Sequence, residues 1–158
     1  DLAAAWANLG PRFPRWRAVL AGLVTRRWRA FAGRLAGLEQ LGELDDAAPV
    51  YRGLTVLVQP SRQESFSLVL LEAMASGCCV VAAALPHYPE LVEQGVTGFL
   101  YAPGDVPALV ELLEPLLAEP SRAEAVGRAA MAEVRARWTL EAEVEALRRL
   151  YTKLERFR

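Results

Sequence analysis

The chain has 158 residues, of which 53% are hydrophobic and 23% are charged, and its formal net charge at pH 7 is −1. This length favours one domain, the composition is that of a folded globular protein, and the small net charge excludes an electrostatic footprint for nucleic acid. The sequence has no apolar run of about 18 residues, so we expect no membrane-spanning helix, and any membrane association would be peripheral.

The two cysteines are neighbours, Cys78 and Cys79. Adjacent residues of a strand point to opposite faces, so a disulfide between them would be badly strained. They also lack a metal-ligand spacing with the one histidine, His87. We interpret both as small buried side chains in a reducing compartment, which predicts a cytoplasmic location.

Helical and extended patterns alternate in the first third of the chain. Apolar residues recur at helical spacing from Leu2 to Phe13, and this pattern ends around Pro11 and Pro14. The segments that follow are predicted, in order, as a strand over 16–21, a helix over 25–36, a strand over 38–44 and a helix over 47–52.

The alternation continues to the end of the chain. The predicted order is a strand over 54–58, a helix capped by Ser67, a buried strand over 78–83, a helix over 90–93 and a strand over 98–101. Asp105 begins the next helix, Ser121 and Glu124 form a capping-box pattern for another, and Thr139 begins the last. This order predicts an α/β fold, a Rossmann-like doubly wound parallel sheet with a helical C-terminus.

The segment 60–77 carries the clearest functional signal. The apolar strand runs into a loop that contains Glu64, and a helix with Glu72 in its second turn follows. The first N–H groups of such a helix have no intrahelical partner and lie at the positive end of its dipole, which suits a phosphate or diphosphate. The two carboxylates could accept hydrogen bonds from sugar or ribose hydroxyls. Taken alone, however, they would more often be a solvated turn residue and an ordinary helix residue.

The same segment resembles the donor-binding core of the GT-B glycosyltransferases, in particular the large retaining family called group 1 or family four. Its pattern is Pro-Ser, a Glu-Gly-Phe-Gly-Leu loop, Glu-Ala-Met-Ala-x-Gly, an apolar strand, Pro-Glu and Thr-Gly. The matching residues are Pro60, Ser61, Glu64, Phe66, Leu68, Glu72, Ala73, Met74, Ala75, Gly77, Pro89, Glu90, Thr97 and Gly98. The resemblance extends, with lower specificity, over nearly the whole chain.

The resemblance implies a role for each site residue. Glu64 would be the catalytic residue and would hold hydroxyls of the donor sugar, while Glu72 would take the ribose hydroxyls. The backbone of Gly42 would meet the edge of the nucleobase, and His87 would contact the donor. The sugar and the distal phosphate would bind at the loop and helix start, formed by Ser65, Phe66, Ser67 and Leu68.

The chain departs from the family pattern in three ways. Ser65 and Ser67 stand where the family usually has glycines. A strand and a basic segment that grip the donor diphosphate in the family would precede Asp1, and the N-terminal acceptor domain would lie further upstream. We therefore expect residues 1–158 to be the donor-binding half of a GT-B fold without its first strand, inactive as an isolated chain.

The implied reaction transfers a sugar from a nucleotide diphosphate sugar to an acceptor hydroxyl, with retained anomeric configuration and without a metal or other cofactor. The acceptor would be a glycan, a lipid or a small molecule bound by the other domain. Two alternatives stay open. One is a non-catalytic nucleotide-sugar-binding or scaffold module, in which the two serines record lost catalysis. The other is a sugar-phosphate isomerase, such as the epimerases that share the GT-B layout.

Overall fold

A computed structural model describes residues 1–22 and 25–155, with the backbone alone at residues 27 and 28. Every predicted strand is confirmed to within two residues at each end. The elements are α1 (Leu2–Leu9), β1 (Ala18–Ala21), α2 (Arg26–Ala32), β2 (Leu38–Gly42), α3 (Ala48–Gly53), β3 (Val56–Gln59), α4 (Leu68–Ala75), β4 (Cys79–Ala83), α5 (Tyr88–Leu91), β5 (Phe99–Tyr101), α6 (Val106–Ala118), α7 (Pro120–Arg137) and α8 (Leu140–Glu155).

The described strands form two parallel sheets. One pairs β1 with β2, and the other has the order β3-β4-β5. The Rossmann-like α/β class is confirmed. The unbroken apolar runs of β3 and β4 also predict that these two strands are adjacent and central; they are adjacent, but β3 lies at the edge of its sheet and only β4 is central. Because the pairing is parallel, the carboxyl ends of β3, β4 and β5 lie at one edge.

The edges of β1 and β3 face a cavity of about 370 Å³. Its lining includes Val19 from one strand, Val56 and Val58 from the other, and Trp6 from α1. Within the described residues, β1 pairs only with β2, and β3 pairs only with β4. Each strand therefore presents an unpaired backbone edge beside a largely apolar space.

Strand β4 lies at the centre of the core. All five of its residues are fully buried, and their side chains alternate between two apolar clusters. Cys79, Val81 and Ala83 pack towards α1 and α6, whereas Val80 and Ala82 pack towards α4, α5 and α7. Coverage on both faces explains why this segment is a continuous apolar run.

Four helix starts test the sequence predictions. The Asp105 side chain accepts a hydrogen bond from the Ala108 amide, and Thr139 accepts one from the Ala142 amide, as predicted. The capping box at Ser121 and Glu124 is wrong, because α7 already begins at Pro120 and Ser121 donates to Glu119 instead. The helix predicted over 90–93 also begins two residues earlier, at Tyr88.

In helix α8 apolar residues recur at helical spacing, but none of its described residues is buried. Leu147, Tyr151 and Leu154, which the pattern places on one face, are each about half exposed or more. Among the described helices, none is both long enough and apolar enough to cross a membrane.

Candidate functional site

The loop between β3 and α4 holds Glu64 in a defined position. The Gln59 side-chain amide donates to Glu64 Oε1 at 3.1 Å, and the Ser61 hydroxyl donates to the same oxygen at 2.9 Å. Gln59 also donates to Ser61 Oγ at 3.1 Å. Glu64 is partly buried, so its carboxylate is fixed at the rim of the domain rather than free in solvent.

Ser67 occupies the position before α4 but does not cap the helix with its side chain, so that part of the prediction is wrong. Its φ is 72°, and it is the one described non-glycine residue with a positive φ. This backbone conformation favours glycine. The side chain is buried beside Tyr88 instead of lying across the first helical turn, and its hydroxyl has no hydrogen-bond partner among the described residues.

The start of α4 is open to solvent. Leu68 is 64% exposed and Val69 is 39% exposed, while Ser65 in the preceding loop is also exposed. The ring of Phe66 is 41% exposed and lies 6.1 Å from the ring of Trp138, centroid to centroid. A ligand could therefore reach the first amides of α4, which is a helix of eight residues.

Glu72 lies in the second turn of α4 and is exposed. The Tyr51 hydroxyl, from α3, lies beside its carboxylate. Burial raises the pKa of Tyr51 to about 12, and the neighbouring Glu72 carboxylate acts in the same direction. The carboxylate has solvent on its other side and can accept hydrogen bonds there.

His87 and Tyr88 follow the carboxyl end of β4. The His87 ring meets the Tyr88 ring edge-on, with 4.8 Å between centroids, and its Nε2 atom is buried without a partner among the described residues. Tyr88 is completely buried. Burial raises the pKa of Tyr88, the nearby hydroxyl of Ser67 opposes this shift, and the charge of Glu64 adds to it.

Gly42 ends β2 with a φ of 74°, and its carbonyl accepts a hydrogen bond from the amide of Gly22 at the end of β1. A Cβ at either glycine would meet nothing within 4 Å. The carboxyl ends of β1 and β2 therefore leave room for a flat group to approach the backbone. Leu23, which the sequence places in the same turn, lies outside the described residues.

Asp46, the second of two adjacent acidic residues, has a local structural role. Asp46 Oδ1 accepts a hydrogen bond from the Ala48 amide at 2.9 Å, at the start of α3. In the part of the chain that the structure describes, no group of three or more His, Cys, Asp or Glu side chains could hold a metal ion.

The structure thus brings Glu64, Ser67 and His87 together around Tyr88, and it places Glu72 beside Tyr51 on α3. Sequence reasoning did not assign roles to Gln59, Tyr88 or Tyr51. One signal was available: Gln59 is a lone polar residue at the end of an apolar strand, directly before the motif. Nothing in the sequence pattern pairs Tyr88 with the loop, because that contact depends on the packing of α5 beside β3 and β4.

Comparison with known proteins identifies the family. The family model of the group 1 glycosyl transferases matches residues 1–119. The lipopolysaccharide core biosynthesis mannosyltransferase LpcC of Rhizobium leguminosarum bv. viciae is 41% identical over 160 residues, which cover 95% of this chain and 46% of that protein. This chain therefore spans less than half the length of that curated relative.

Solved structures agree with the fold. Sucrose-phosphate synthase from Thermosynechococcus elongatus matches with a TM-score of 0.85 and 29% identity, over 99% of this chain and 42% of that one. HepE from Anabaena, solved in complex with UDP, matches with a TM-score of 0.83 and 24% identity, over 96% of this chain and 44% of that one. The chain belongs to the group 1 glycosyltransferase family, and its fold is the one found in the GT-B enzymes.

Proposed function

We propose that this chain is the donor-binding domain of a retaining, metal-independent glycosyltransferase. The full-length protein would transfer a sugar from a nucleoside diphosphate sugar to an acceptor hydroxyl. The observation that carries the proposal is the hydrogen-bonded Glu64 carboxylate beside the solvent-exposed start of α4, within the part of the chain that matches the family. UDP in the HepE complex indicates the class of ligand to test first.

In this proposal each site residue binds a different part of the nucleotide sugar. The first amides of α4 and the loop residues 65–68 receive the diphosphate and the sugar, because a helix N-terminus stabilises negative charge. Glu64 accepts hydrogen bonds from sugar hydroxyls, Glu72 accepts them from the ribose, and Gly42 leaves space for the base. His87 lies beside the bound sugar.

The chemistry follows from these positions. The bond between the anomeric carbon and the phosphate oxygen breaks, and the nucleoside diphosphate departs with the electron pair. The acceptor oxygen then bonds to the anomeric carbon, and its proton leaves with the diphosphate. Stabilising the charge on the departing diphosphate lowers the barrier, and here the helix dipole provides that stabilisation. Retention and metal independence rest on the family resemblance. Product stereochemistry and an unchanged rate in the presence of a chelator would support them.

The Ser67 geometry weighs against the non-catalytic alternative. Serine in place of a family glycine would disrupt the loop if it imposed a different backbone, but Ser67 adopts the left-handed φ that glycine favours. The loop can therefore keep the shape that the family glycine would give it.

The cavity between β1 and β3 supports a proposal about domain organisation. We infer that a strand of the polypeptide preceding Asp1 fills this cavity and joins the two sheets, with the acceptor-binding domain elsewhere in the full-length protein. Hydrogen exchange in the full-length protein is the test. The edge amides of β1 and β3 should be protected there and exposed in the 158-residue chain, whereas equal exchange in both would contradict the inference.

Calorimetry tests the donor site. The 158-residue chain should bind UDP or GDP weakly and should transfer no sugar, because the rest of the phosphate and acceptor sites would lie outside it. In the full-length protein, Glu72→Ala should weaken nucleotide binding about tenfold, roughly the worth of one hydrogen bond to a carboxylate. Glu64→Ala should reduce turnover much more than nucleotide affinity. Unchanged nucleotide affinity in Glu72→Ala would remove Glu72 from the site, and efficient transfer by the short chain would contradict the domain assignment.

A further inference from the structure

Gln59 is the last residue of β3 and is partly buried. Its Nε2 atom donates to Ser61 Oγ and to Glu64 Oε1, each at 3.1 Å. Ser61 adds a second donor to the same carboxylate oxygen. Among the described residues no hydrogen bond reaches Glu64 Oε2. One oxygen of the carboxylate is therefore held by the protein, and the other can accept a hydrogen bond from a ligand.

The buried side of this network is closed by Tyr88. Its hydroxyl lies close enough to Gln59, Ser67 and Glu64 for each of them to influence its pKa, which burial raises above the usual value. It has no hydrogen-bond partner of its own among the described residues, and the side chain is fully buried. The phenol is therefore a buried neighbour of the Gln59 amide.

A glutamine suits this position for two physical reasons. It donates hydrogen bonds without adding positive charge, so the carboxylate keeps its net negative charge and its second oxygen can accept from a neutral hydroxyl. Gln59 also belongs to β3, which pairs with β4 at the Gln59–Ala82 register position. Its side-chain amide is therefore attached to a strand that pairs with the most deeply buried strand of the fold. A site is more precise when its supporting residues stand on regular elements rather than on loops.

We propose that Gln59 is a positioning residue for the sugar part of the donor, acting through Glu64. This inference rests on the proposed function and goes beyond it in assigning the residue that orients the carboxylate. A positioning role for Gln59 predicts different effects on two affinities. The affinity for the nucleotide alone should not depend on Gln59, whereas the additional affinity that the sugar provides should depend on it.

The test measures both affinities by calorimetry on the full-length protein, with UDP and UDP-glucose and with GDP and GDP-mannose as probes. Gln59→Leu should lower the ratio of nucleotide-sugar affinity to nucleotide affinity about tenfold, which is the usual worth of one hydrogen bond to a charged group. The affinity for the nucleotide alone should stay within about twofold, a difference too small to represent a lost hydrogen bond. That unchanged value also reports that the protein is folded.

Two further variants make the result specific. Gln63→Leu is the matched control, because Gln63 is an exposed glutamine in the same loop, and it should leave both affinities unchanged. Gln59→Asn keeps an amide but withdraws it by one methylene, so it should reproduce the loss with less disturbance of packing. This variant decides the question if Gln59→Leu does not fold.

The outcomes separate this inference from the function on which it rests. An unchanged ratio in the folded Gln59 variants, or an equal loss of both affinities, would overturn the positioning role and leave the donor site intact. A wild-type protein that binds none of the four probes would overturn the proposed function, and the role of Gln59 with it.

Discussion

The two sheets of this domain differ in how completely they are buried. In the three-stranded sheet, β4 has no exposed residue, and apolar clusters cover both of its faces. In the two-stranded sheet, neither β1 nor β2 has a fully buried residue, and β2 carries the polar pair Glu39 and Gln40. The loop with Glu64 therefore follows a sheet whose central strand is fully buried, whereas the two-stranded sheet is partly exposed and borders the cavity beside β1.

The largest expected effect is a loss of stability where α7 packs against residues 77–78, the turn directly before β4. A Cβ on Gly127 would overlap the carbonyl oxygen of Gly77 and would lie only 3.1 Å from the carbonyl carbon of Cys78. Because those atoms belong to the backbone, Gly127→Ala should lower the free energy of unfolding by about 3 kcal/mol, the upper end for overpacking. Denaturant titration of the chain measures it. Gly53→Ala is the control, since nothing lies within 4 Å of its Cβ, and it should change stability little.

A matched pair of valines compares the two sheets directly. Val81 in β4 is fully buried, so Val81→Ala should cost about 2–3 kcal/mol through lost burial and a new cavity. Val19 in β1 is partly exposed and already borders the cavity, so Val19→Ala should cost about 1 kcal/mol or less. If both variants of the 158-residue chain lost the same free energy of unfolding, the proposed difference in burial between the two sheets would be contradicted. In the full-length protein, a larger loss at Val19 would indicate that the cavity is filled there.

The two buried cysteines, Cys79 in β4 and Cys78 directly before it, should make the fold sensitive to alkali. Burial raises the pKa of Cys78 to about 11 and that of Cys79 to about 12, from an ordinary value of 9.0. The folded state therefore favours the neutral thiols. Their contribution to stability is complete below pH 9 and should be lost as the pH rises towards 11 and 12. Unfolding titrations between pH 8 and pH 11, about the range over which free thiols ionise, should show this decline. In the double variant Cys78→Ala, Cys79→Ala the decline should be weaker, and an identical decline would exclude the thiols as its cause.

The smallest effect concerns the two serines that replace family glycines. Ser67→Gly should raise the free energy of unfolding by about 1 kcal/mol, because it relieves a left-handed backbone and removes a buried hydroxyl without a described partner. Ser65→Gly should instead lower it by about 0.5 kcal/mol, since Ser65 has no positive φ and glycine adds entropy to the unfolded chain. Denaturant titration should therefore show changes of opposite sign in the free energy of unfolding of the two variants. A loss of stability in Ser67→Gly would show that the Ser67 hydroxyl is stabilising.

Most of the three-stranded sheet can be predicted from the sequence, because the patterns that specify it are local. The apolar run at 78–83 and the loop before α4 specify a buried strand and a helix start without reference to the rest of the chain. Ser67 could not be read in the same way, since serine usually caps a helix and only the tertiary packing of Tyr88 turns its side chain inward. The hydrogen bonds to Glu64 are also local in sequence, but their geometry depends on how β3 ends. The roles of Glu72, His87 and Gly42 towards a ligand stay predictions.

The central claim is that a nucleotide sugar binds at the carboxyl ends of the strands, around Glu64 and the start of α4. Amide chemical shifts of the isotopically labelled 158-residue chain, recorded during titration with UDP-glucose and with GDP-mannose, test its position directly. We expect one of these ligands to shift the amides of Glu64 to Leu68 most strongly, with smaller shifts at Gly42 and Glu72. Shifts confined to the cavity between β1 and β3, around Trp6 and Trp16, or no shift with either ligand, would contradict this account of the site.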